Sequence, residues 1–579
     1  MQNNNKLAYL PFLAFFLLAL SACNSSDRAS GQTIIYAAKS VITMEKPGDT
    51  FQAVVVQAGK IVALGDADKL AQQYPGAVAD ESLAEKFIVP GFIDPHIHMM
   101  LSAIQYALPI APPWPMTTPE GFIEGLATRE AFLQRVREIE ASTEAGEPLI
   151  IYGYHDLVHG DLDRHDLDAI TTSRPLLIWH YSSHDFYLNT EALEWTEIDA
   201  SLHDQFEGVP LDADGLPTGR IFEDALPYLT EQLGSTLLNP FSIRRGVKGF
   251  SRLLRQGGVT TVADLAYGIF SVNLENLNIW LNWGSPQKSG YRLYLVPEHR
   301  AFEKKYGDER IQEIHDLVKQ DSWAPAPVLP QVKFFTDAAF YSQTMRLSDP
   351  GYLSGQTQGS PGLWVIKPEN LVETIKPYWQ AGLGVRIHSN GDAAQTETLN
   401  ALVELRKSDK QQRYVIEHAG LFSPTDIARA AKLKAVISAA SHYVFFLGEA
   451  YQAPLGAERG GWISPLASLS QAGVPVTLHS DAPLAPPLPL QAGAVHMTRA
   501  TREGGSLSPN ERLPAYEALE AITLDAAIAL GLEDELGSIS VGKRADFTVL
   551  DANPMETPGS DWPDIGVWGV VLDGVLRPN

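Results

Sequence analysis

The chain has 579 residues, of which 45% are hydrophobic and 20% are charged, so it can bury a large core and is long enough for more than one domain. It carries 44 Lys and Arg residues against 69 Asp and Glu residues, which gives a formal net charge of -25. This acidity excludes nucleic acid as an expected partner, and the composition excludes a fibrous or disordered protein.

Residues 1–23 have the pattern of a bacterial export signal. An apolar run from Leu7 to Leu20 follows Lys6 and is shorter than a membrane span. The run ends in Leu-Ser-Ala-Cys, which resembles a lipobox, the motif in which the signal is removed before a cysteine that carries lipid. Cys23 is the only cysteine, so no disulfide can form within the chain.

We therefore predict an exported protein with a lipid anchor at Cys23 and a polar linker over residues 24–32. Asn24 is not the aspartate that marks retention in the inner membrane of Gram-negative cells. The expected location is thus the cell envelope, at the outer membrane and facing the periplasm if the cell is Gram-negative. The membrane is then a partner only through the anchor. A homodimer is compatible with the sequence, which does not decide the oligomeric state.

Short alternating strands with glycine turns are predicted at both ends of the remaining chain. Residues 33–88 include TIIYAAKSVITM and FQAVVVQAGKIVALG, and residues 530–579 include GSISVGKRADFTVLDANP and VWGVVLDGVLRP. Two small β segments at opposite ends of a chain are best explained as one domain built from both termini.

Between these segments, apolar runs alternate with helical stretches, which is typical of a parallel α/β fold. The candidate strands are Ile88–His98, Leu176–Tyr181, Val259–Asp264, Tyr291–Val296, Gln331–Thr336, Gly384–His388, Tyr414–His418, Lys434–Ser438 and Val474–Asp481. This is one strand more than an eight-stranded barrel holds. We predict a barrel over residues 89–529, with a Pro- and Gly-rich insertion at about 105–245 that covers its mouth.

The first of these strands ends in two histidines separated by one residue. Side chains alternate along a strand, so Asp94, His96 and His98 share one face. Barrel folds carry their chemistry at the carboxyl ends of strands, and neutral imidazole is a common metal ligand. A His-x-His motif alone is also compatible with two exposed histidines at a strand end.

Polar side chains stand at the same end of later predicted strands: Lys333, His388, His418 and Asp481. Each alone has an ordinary structural explanation, such as a core histidine or a helix-capping aspartate. Together with His96 and His98 they place four imidazoles, a carboxylate and a lysine at one end of the predicted barrel. This coincidence favours a metal site.

Ordered motifs from about Ile34 to the C-terminus resemble amidohydrolase family 3, the YtcJ-like branch of the amidohydrolase superfamily that contains N-substituted formamide deformylase. The matching motifs are PGFIDPHIH, SSHDFYLNTEAL, PTGRIFEDA, GVTTVADLA, VKFFTDAAF, IHSNGDAA, IEHAG, SDAP and GSISVGKRADFTVLDANP. The resemblance implies an α/β fold: a (β/α)8 TIM-type barrel with the insertion after strand 1, beside a small composite β-sandwich domain.

The resemblance also implies one or two divalent metal ions, with zinc expected, held by His96, His98, His388, His418 and Asp481. Lys333 matches a position that is carboxylated in many relatives and bridges two metals. Because an ammonium repels a cation, a ligand role requires that carbamate, and the alternative is an ammonium paired with a carboxylate such as Asp337. Glu417 or Asp392 is expected to orient the ligand histidines His388 and His418.

Substrate contacts are expected from two further residues, His184, which resembles a family histidine in the insertion, and Asp337. The sequence departs from the family pattern at Ala338 and His479, where glycine is common. The pocket beside strands four and eight is therefore expected to be reshaped.

The expected activity is hydrolysis of a non-peptide carbon–nitrogen bond in a small amide or N-substituted formamide. A metal ion lowers the pKa of bound water from about 15.7 to about 7. Asp481 is the expected proton carrier between this water and the leaving nitrogen. Two alternatives stay open: a deaminase or cyclic imide or dipeptide hydrolase on the same residues, and a surface binding protein without turnover.

Overall fold

The structure is a computed structural model that describes residues 32–355, 357–408 and 411–579. The predicted signal peptide, Cys23 and all but the last residue of the linker lie outside these ranges. Within them, none of the helices combines the length and the apolar character that crossing a membrane requires.

The strands are, in chain order, β1 (Thr33–Ile42), β2 (Thr50–Gln57), β3 (Lys60–Gly65), β4 (Val78–Asp80), β5 (Phe87–Pro90), β6 (Phe92–Ile97), β7 (Met116–Thr118), β8 (Gly121–Ile123), β9 (Leu149–Tyr154), β10 (Leu176–His180), β11 (Asp185–Leu188), β12 (Arg220–Phe222), β13 (Val259–Tyr267), β14 (Arg292–Pro297), β15 (Gln331–Phe335), β16 (Gly384–Ser389), β17 (Tyr414–His418), β18 (Val436–Ala440), β19 (Val476–His479), β20 (Phe547–Leu550), β21 (Val567–Leu572) and β22 (Val575–Pro578).

The α-helices are α1 (Ala67–Gln73), α2 (Met99–Gln105), α3 (Arg129–Ser142), α4 (Asp156–His159), α5 (Arg164–Asp168), α6 (Thr190–Trp195), α7 (Leu226–Gln232), α8 (Gly234–Leu237), α9 (Pro240–Gln256), α10 (Val272–Asn278), α11 (Pro286–Ser289), α12 (His299–Tyr306), α13 (Arg310–Lys319), α14 (Pro368–Gln380), α15 (Asp392–Leu405), α16 (Pro424–Leu433), α17 (Tyr443–Leu447), α18 (Gln452–Gly460), α19 (Leu466–Gln471), α20 (Pro489–Thr498), α21 (Ala515–Ala521) and α22 (Leu524–Leu530).

Strands from both ends of the described chain share one sheet, in the order β22-β21-β20-β5-β1-β2-β3, with β4 also paired to β1. Strand β5 is antiparallel to β20 and parallel to β1, so it joins the C-terminal strands to the N-terminal ones. Buried apolar residues of both segments, such as Val54, Ile88 and Phe547, pack in one cluster. Burial of this shared apolar face explains why the two segments associate.

Two parallel sheets carry the strands that end at the candidate site, in the orders β14-β13-β6 and β15-β16-β17-β18-β19. Isolated parallel bridges link their edges, from Ile97 to Ala482 and from Glu298 to Lys333. These strands are buried almost throughout, as expected for parallel strands that are covered on both faces. Their carboxyl ends therefore lie next to one another.

The surplus predicted strand, β10, belongs to a separate sheet in the order β12-β11-β10-β9. It is parallel to β9 and antiparallel to β11. The region between α2 and α9 also contains the β7-β8 hairpin. Its aromatic residues, including Trp114 and Tyr181, pack against Phe446 of α17, so this region contacts the loops that follow the parallel strands.

The structure divides the predicted strand Ile88–His98 at Gly91. Strand β5 joins the terminal sheet, and β6 joins the parallel strands. A Cβ atom at position 91 would lie 2.2 Å from Oγ1 of Thr260, so the crossing between the two sheets requires glycine. The predicted strand Lys434–Ser438 begins later, at Val436, because Lys434 caps α16 in the left-handed conformation.

Candidate metal centre

His96 is fully buried and is held from one side by Glu417. Its Nδ1 lies 2.8 Å from Oε2 of Glu417, at the end of β17. Burial, and then the nearby charge of Lys333, hold the pKa of His96 well below its usual value, so the ring is neutral. A neutral ring that donates from Nδ1 to a carboxylate keeps a lone pair on Nε2. His96 is therefore oriented to bind a cation through Nε2.

His98 and Asp481 complete a triangle with His96. His98 leaves the strand as the N-cap residue of α2, and its Nε2 lies 3.1 Å from Oδ1 of Asp481. The same oxygen is 3.4 Å from Nε2 of His96. The three ligand atoms lie within 4.8 Å of one another. Burial alone would raise the pKa of Asp481, but the contact with His98 and nearby positive charges lower it to about 2.

His418 and His479 extend this group. Nδ1 of His418 lies 3.5 Å from Oδ2 of Asp481 and 3.3 Å from Nε2 of His479. His96, His418 and His479 form a second group whose ligand atoms lie within 4.8 Å of one another. The backbone of His418 and Asp481 is left-handed, with φ of 72° and 55°. Such strain in non-glycine residues is typical of functional sites.

The donor set suits a divalent metal ion. It combines buried, neutral imidazoles with an ionised carboxylate, the ligand types that zinc prefers. Nδ1 of His98 and Oδ1 of Asp481 are buried without a well-aligned hydrogen-bond partner. Buried polar atoms of this kind call for a partner, and a cation satisfies the carboxylate oxygen.

Comparison with known proteins identifies the family. The sequence profile described as "Amidohydrolase family" matches residues 82–577, which is most of the chain. The chain belongs to the amidohydrolase family. The predicted family is confirmed, and with it the predicted class of enzyme, a metal-dependent hydrolase of carbon–nitrogen bonds other than peptide bonds. A second profile, the imidazolonepropionase-like composite domain of bacteria, matches residues 53–77.

Two relatives can be aligned with this chain over almost its whole length. A protein described as an amidohydrolase, YtcJ of Bacillus subtilis (strain 168), is 26% identical over 554 residues, which cover 93% of this chain and 97% of the relative. The N-substituted formamide deformylase of Arthrobacter pascens is 24% identical over 557 residues, with the same coverage of 93% and 97%.

Solved structures show the fold. An uncharacterized metal-dependent hydrolase from Pyrococcus horikoshii superposes with a TM-score of 0.68 at 20% identity, covering 91% of this chain and 99% of its own. One from Pyrococcus furiosus gives a TM-score of 0.65 at 21% identity, covering 90% and 100%. These structural similarities confirm the predicted α/β fold of TIM type.

His388 lies beside the two groups of ligand atoms described above and belongs to neither of them. Its ring centroid is 4.4 Å from that of His418. However, its Nε2 faces the carbonyl of Ala338 at 3.0 Å and the side-chain amide of Asn390 at 3.1 Å. Burial, and then Lys333, lower the pKa of His388 to about 3, so the ring is neutral. Its role as a metal ligand stays a prediction. To bind a metal, His388 would have to use Nδ1, or its ring would have to rotate so that Nε2 no longer faces Ala338.

Lys333 is fully buried at the centre of the site. Its Nζ lies 3.4 Å from Nε2 of His96 and 5.1 Å above the ring of Phe335. Among the described residues no carboxylate lies within 4.0 Å of Nζ, so the alternative of an ion pair with Asp337 is not seen. Burial lowers the pKa of Lys333 to about 8, which raises the fraction of free amine, the form that a carboxylation step needs.

Asp337 and Asp392 hold the backbone around the site. Asp337 accepts hydrogen bonds from the backbone N–H groups of Arg346, Asn390 and Gly391 at 2.8 to 2.9 Å. Its predicted contact with substrate stays a prediction, since both oxygens are engaged. Asp392 accepts from Ser348 and does not orient a ligand histidine, whereas Glu417 orients His96 instead of the expected His388 and His418.

His184 faces the site from the β10–β11 turn. It is partly exposed, and its Nδ1 lies 3.3 Å from Oε2 of Glu223. Burial lowers the pKa of His184, but Glu223 and the charges of Asp185 and Asp481 outweigh it, and the net shift is upward. Its predicted contact with substrate is compatible with this position.

His479 is a member of the cluster that the sequence pattern does not predict. Glycine is common at this position in the family, yet here the centroid of the His479 ring lies 4.5 Å from that of His96. A signal was present, because His479 and Asp481 repeat the one-residue spacing of His96 and His98. Its Nδ1 lies 2.8 Å from Oγ of Ser438, and burial lowers its pKa to about 4, so it too is neutral.

Proposed function

We propose that this amidohydrolase cleaves the carbon–nitrogen bond of a small amide or N-substituted formamide, with zinc as its divalent metal. The observation that carries the proposal is the triangle of His96, His98 and Asp481, whose ligand atoms lie within 4.8 Å of one another. The relative from Arthrobacter pascens supports the substrate class, since the similarity covers 97% of its length.

In this proposal His96, His98 and Asp481 hold the metal, with His418 and, through a carbamate, Lys333 as further ligands. When bound, such an ion supplies a Lewis acid that polarises the carbonyl and lowers the pKa of water. The oxygen of water bonds to the carbonyl carbon, and the bond from that carbon to nitrogen breaks. Asp481, ionised at neutral pH, accepts the proton from water and passes it to the leaving nitrogen.

We also propose that the chain folds into a closed barrel and a composite β-sandwich domain. The bridges from Ile97 to Ala482 and from Glu298 to Lys333 favour closure of the eight parallel strands into a (β/α)8 barrel. The sheet shared by both ends of the chain, and the composite-domain profile over residues 53–77, favour a composite β-sandwich domain.

An assay of metal-loaded protein tests the function. N-substituted formamides, simple amides and cyclic imides are supplied separately, and formate or amine release is measured. We expect release of formate and amine from at least one N-substituted formamide, lost on chelation and restored by zinc. Turnover confined to cyclic imides would replace the proposed substrate class, and no turnover with any zinc-loaded sample would favour the binding protein.

Lys333→Ala is expected to lower the metal content from about two equivalents per chain to one or fewer. Reaction of the free Lys333 amine with CO2, with loss of a proton, would give a carbamate whose two oxygens share one negative charge and could serve as ligands for two metal ions. Metal analysis of the purified protein measures the count. Short carboxylic acids are expected to restore part of the second equivalent, because they fit the space left by the side chain.

Lys333→Met is the matched control, since its side chain fills that space and leaves no room for a carboxylic acid. One equivalent of metal in wild type, unchanged in Lys333→Ala, would show that Lys333 remains an ammonium. The hydrolase assignment would stand in that case.

We also propose that the chain is exported and anchored by lipid at Cys23. Cys23→Ser is expected to abolish incorporation of labelled palmitate, since the chain has no other thiol to carry lipid. Ser25→Ala, two residues further on, is expected to keep the label. Labelled lipid on Cys23→Ser would contradict the anchor.

A further inference from the structure

An exposed apolar face lies on the segment that follows β13. Ile269, Leu274, Leu277, Trp280 and Leu281 all expose between 40 and 57% of their surface. Leu274, Leu277 and Leu281 are spaced as neighbours on one side of α10 and the π-helical turn Ile279–Trp283. Contiguous exposed apolar residues of this kind mark interaction surfaces.

The segment that carries this apolar face has few charged residues of its own. From Leu265 to Gly290 the only charged residues are Glu275 and Lys288, although 20% of the chain is charged. Glu275 is buried, and its carboxylate accepts hydrogen bonds from the backbone N–H groups of Gly268 and Phe270. No exposed acidic group of this segment therefore repels an anionic headgroup, despite the net charge of -25.

A chain of contacts places this face near the point where the described chain begins. Gln287 of α11 lies six residues after Leu281. Its Nε2 donates a hydrogen bond of 3.3 Å to Oδ2 of Asp573. A Cβ atom on Gly59 would lie 3.3 Å from the carbonyl of Asp573. Gly59 lies two residues after Gln57, which pairs with Thr33 at the start of β1.

The residues between Cys23 and Thr33 span at most about 35 Å when extended. An anchor at Cys23 therefore limits the distance between Thr33 and the bilayer to about 35 Å. Tryptophan and leucine are suited to the membrane–water interface. Leucine is apolar, and the indole of tryptophan has an apolar body and a polar N–H.

We infer that the face formed by Ile269, Leu274, Leu277, Trp280 and Leu281 inserts into the lipid bilayer surface to which the chain is anchored. This orients the protein on the membrane, beyond the tether alone. The inference rests on the anchor proposed at Cys23, which palmitate labelling tests separately, and it does not depend on the proposed substrate.

Depth-dependent quenching tests the inference. The full-length chain, as isolated from the membrane fraction, is reconstituted on vesicles of phosphatidylethanolamine and phosphatidylglycerol with brominated acyl chains. We expect brominated lipid to quench tryptophan emission of wild type, and Trp280→Phe to lose this quenching. Trp323→Phe is the matched control, because Trp323 is 62% exposed but lies outside the apolar face. Equal quenching in wild type and Trp280→Phe would overturn the inference.

Thiol labelling gives an independent measurement, because the natural chain has no cysteine besides Cys23. On vesicles, Leu281→Cys is expected to be protected from a polar thiol reagent, while Trp323→Cys reacts fully. Full reaction of Leu281→Cys would overturn the inference. Protection that rises with the protein-to-lipid ratio would also overturn it, by assigning the face to a second copy of the chain.

Discussion

Replacing both His96 and His98 with alanine is expected to remove bound metal and to lower kcat/KM by about 10³-fold or more, roughly 4 kcal/mol of transition-state stabilisation. Both Nε2 atoms point to the same carboxylate oxygen of Asp481, at 3.4 and 3.1 Å. Without them the remaining donors no longer surround one point. Metal analysis and steady-state kinetics on the best formamide substrate measure both losses.

His159→Ala is the control for this double variant. His159 is also a buried, neutral histidine, but both of its ring nitrogens are engaged, Nε2 with the carbonyl of Leu126 and Nδ1 with the backbone N–H of His155. It is expected to lose stability without losing metal. Full metal content and activity in the double His96 and His98 variant would refute the proposed centre.

Asp481→Asn is expected to lower kcat by about 10²- to 10⁴-fold, the usual contribution of a general acid–base group. The amide keeps the shape of the side chain and removes its charge and its basicity. Because the slower chemical step makes KM of the variant equal to the dissociation constant of the substrate, KM is expected to change much less than kcat. Kinetics at several pH values, with metal content measured on the same sample, separate loss of the base from loss of the ion.

Asp525→Asn controls for removing a buried carboxylate near the same strand. Asp525 accepts from the backbone N–H of Val476, at the opposite end of β19. Its replacement is expected to leave kcat nearly unchanged. An Asp481→Asn variant that keeps wild-type kcat would show that another group moves the proton.

The charge that orients His96 is itself held in the core. Glu417 accepts from the Nε of Arg386, and both side chains are fully buried. Arg386 also donates to the backbone carbonyl of Pro95, one residue before His96, at 3.0 Å. Burying an ion pair costs desolvation energy and adds little net stability. The pair is better explained by function, because it fixes the carboxylate that holds the His96 ring.

The amino-acid sequence by itself determined the residue types and their local arrangement. Alternation along a strand placed His96 and His98 on one face, and apolar runs located the parallel strands within a few residues. The motifs were sufficient to identify the family and its class of reaction. These features could be predicted because strand periodicity and short motifs depend only on neighbours in the chain.

Tertiary structure alone decided which of these side chains meet. Glu417 contacts His96 across 321 residues of sequence, His479 joins the cluster, and His388 turns toward Ala338. Gly91 divides one apolar run between two sheets because Thr260 packs against it. Such contacts depend on how strands are packed and on which rings face inward, and a linear pattern does not encode distances between residues that are far apart in the chain.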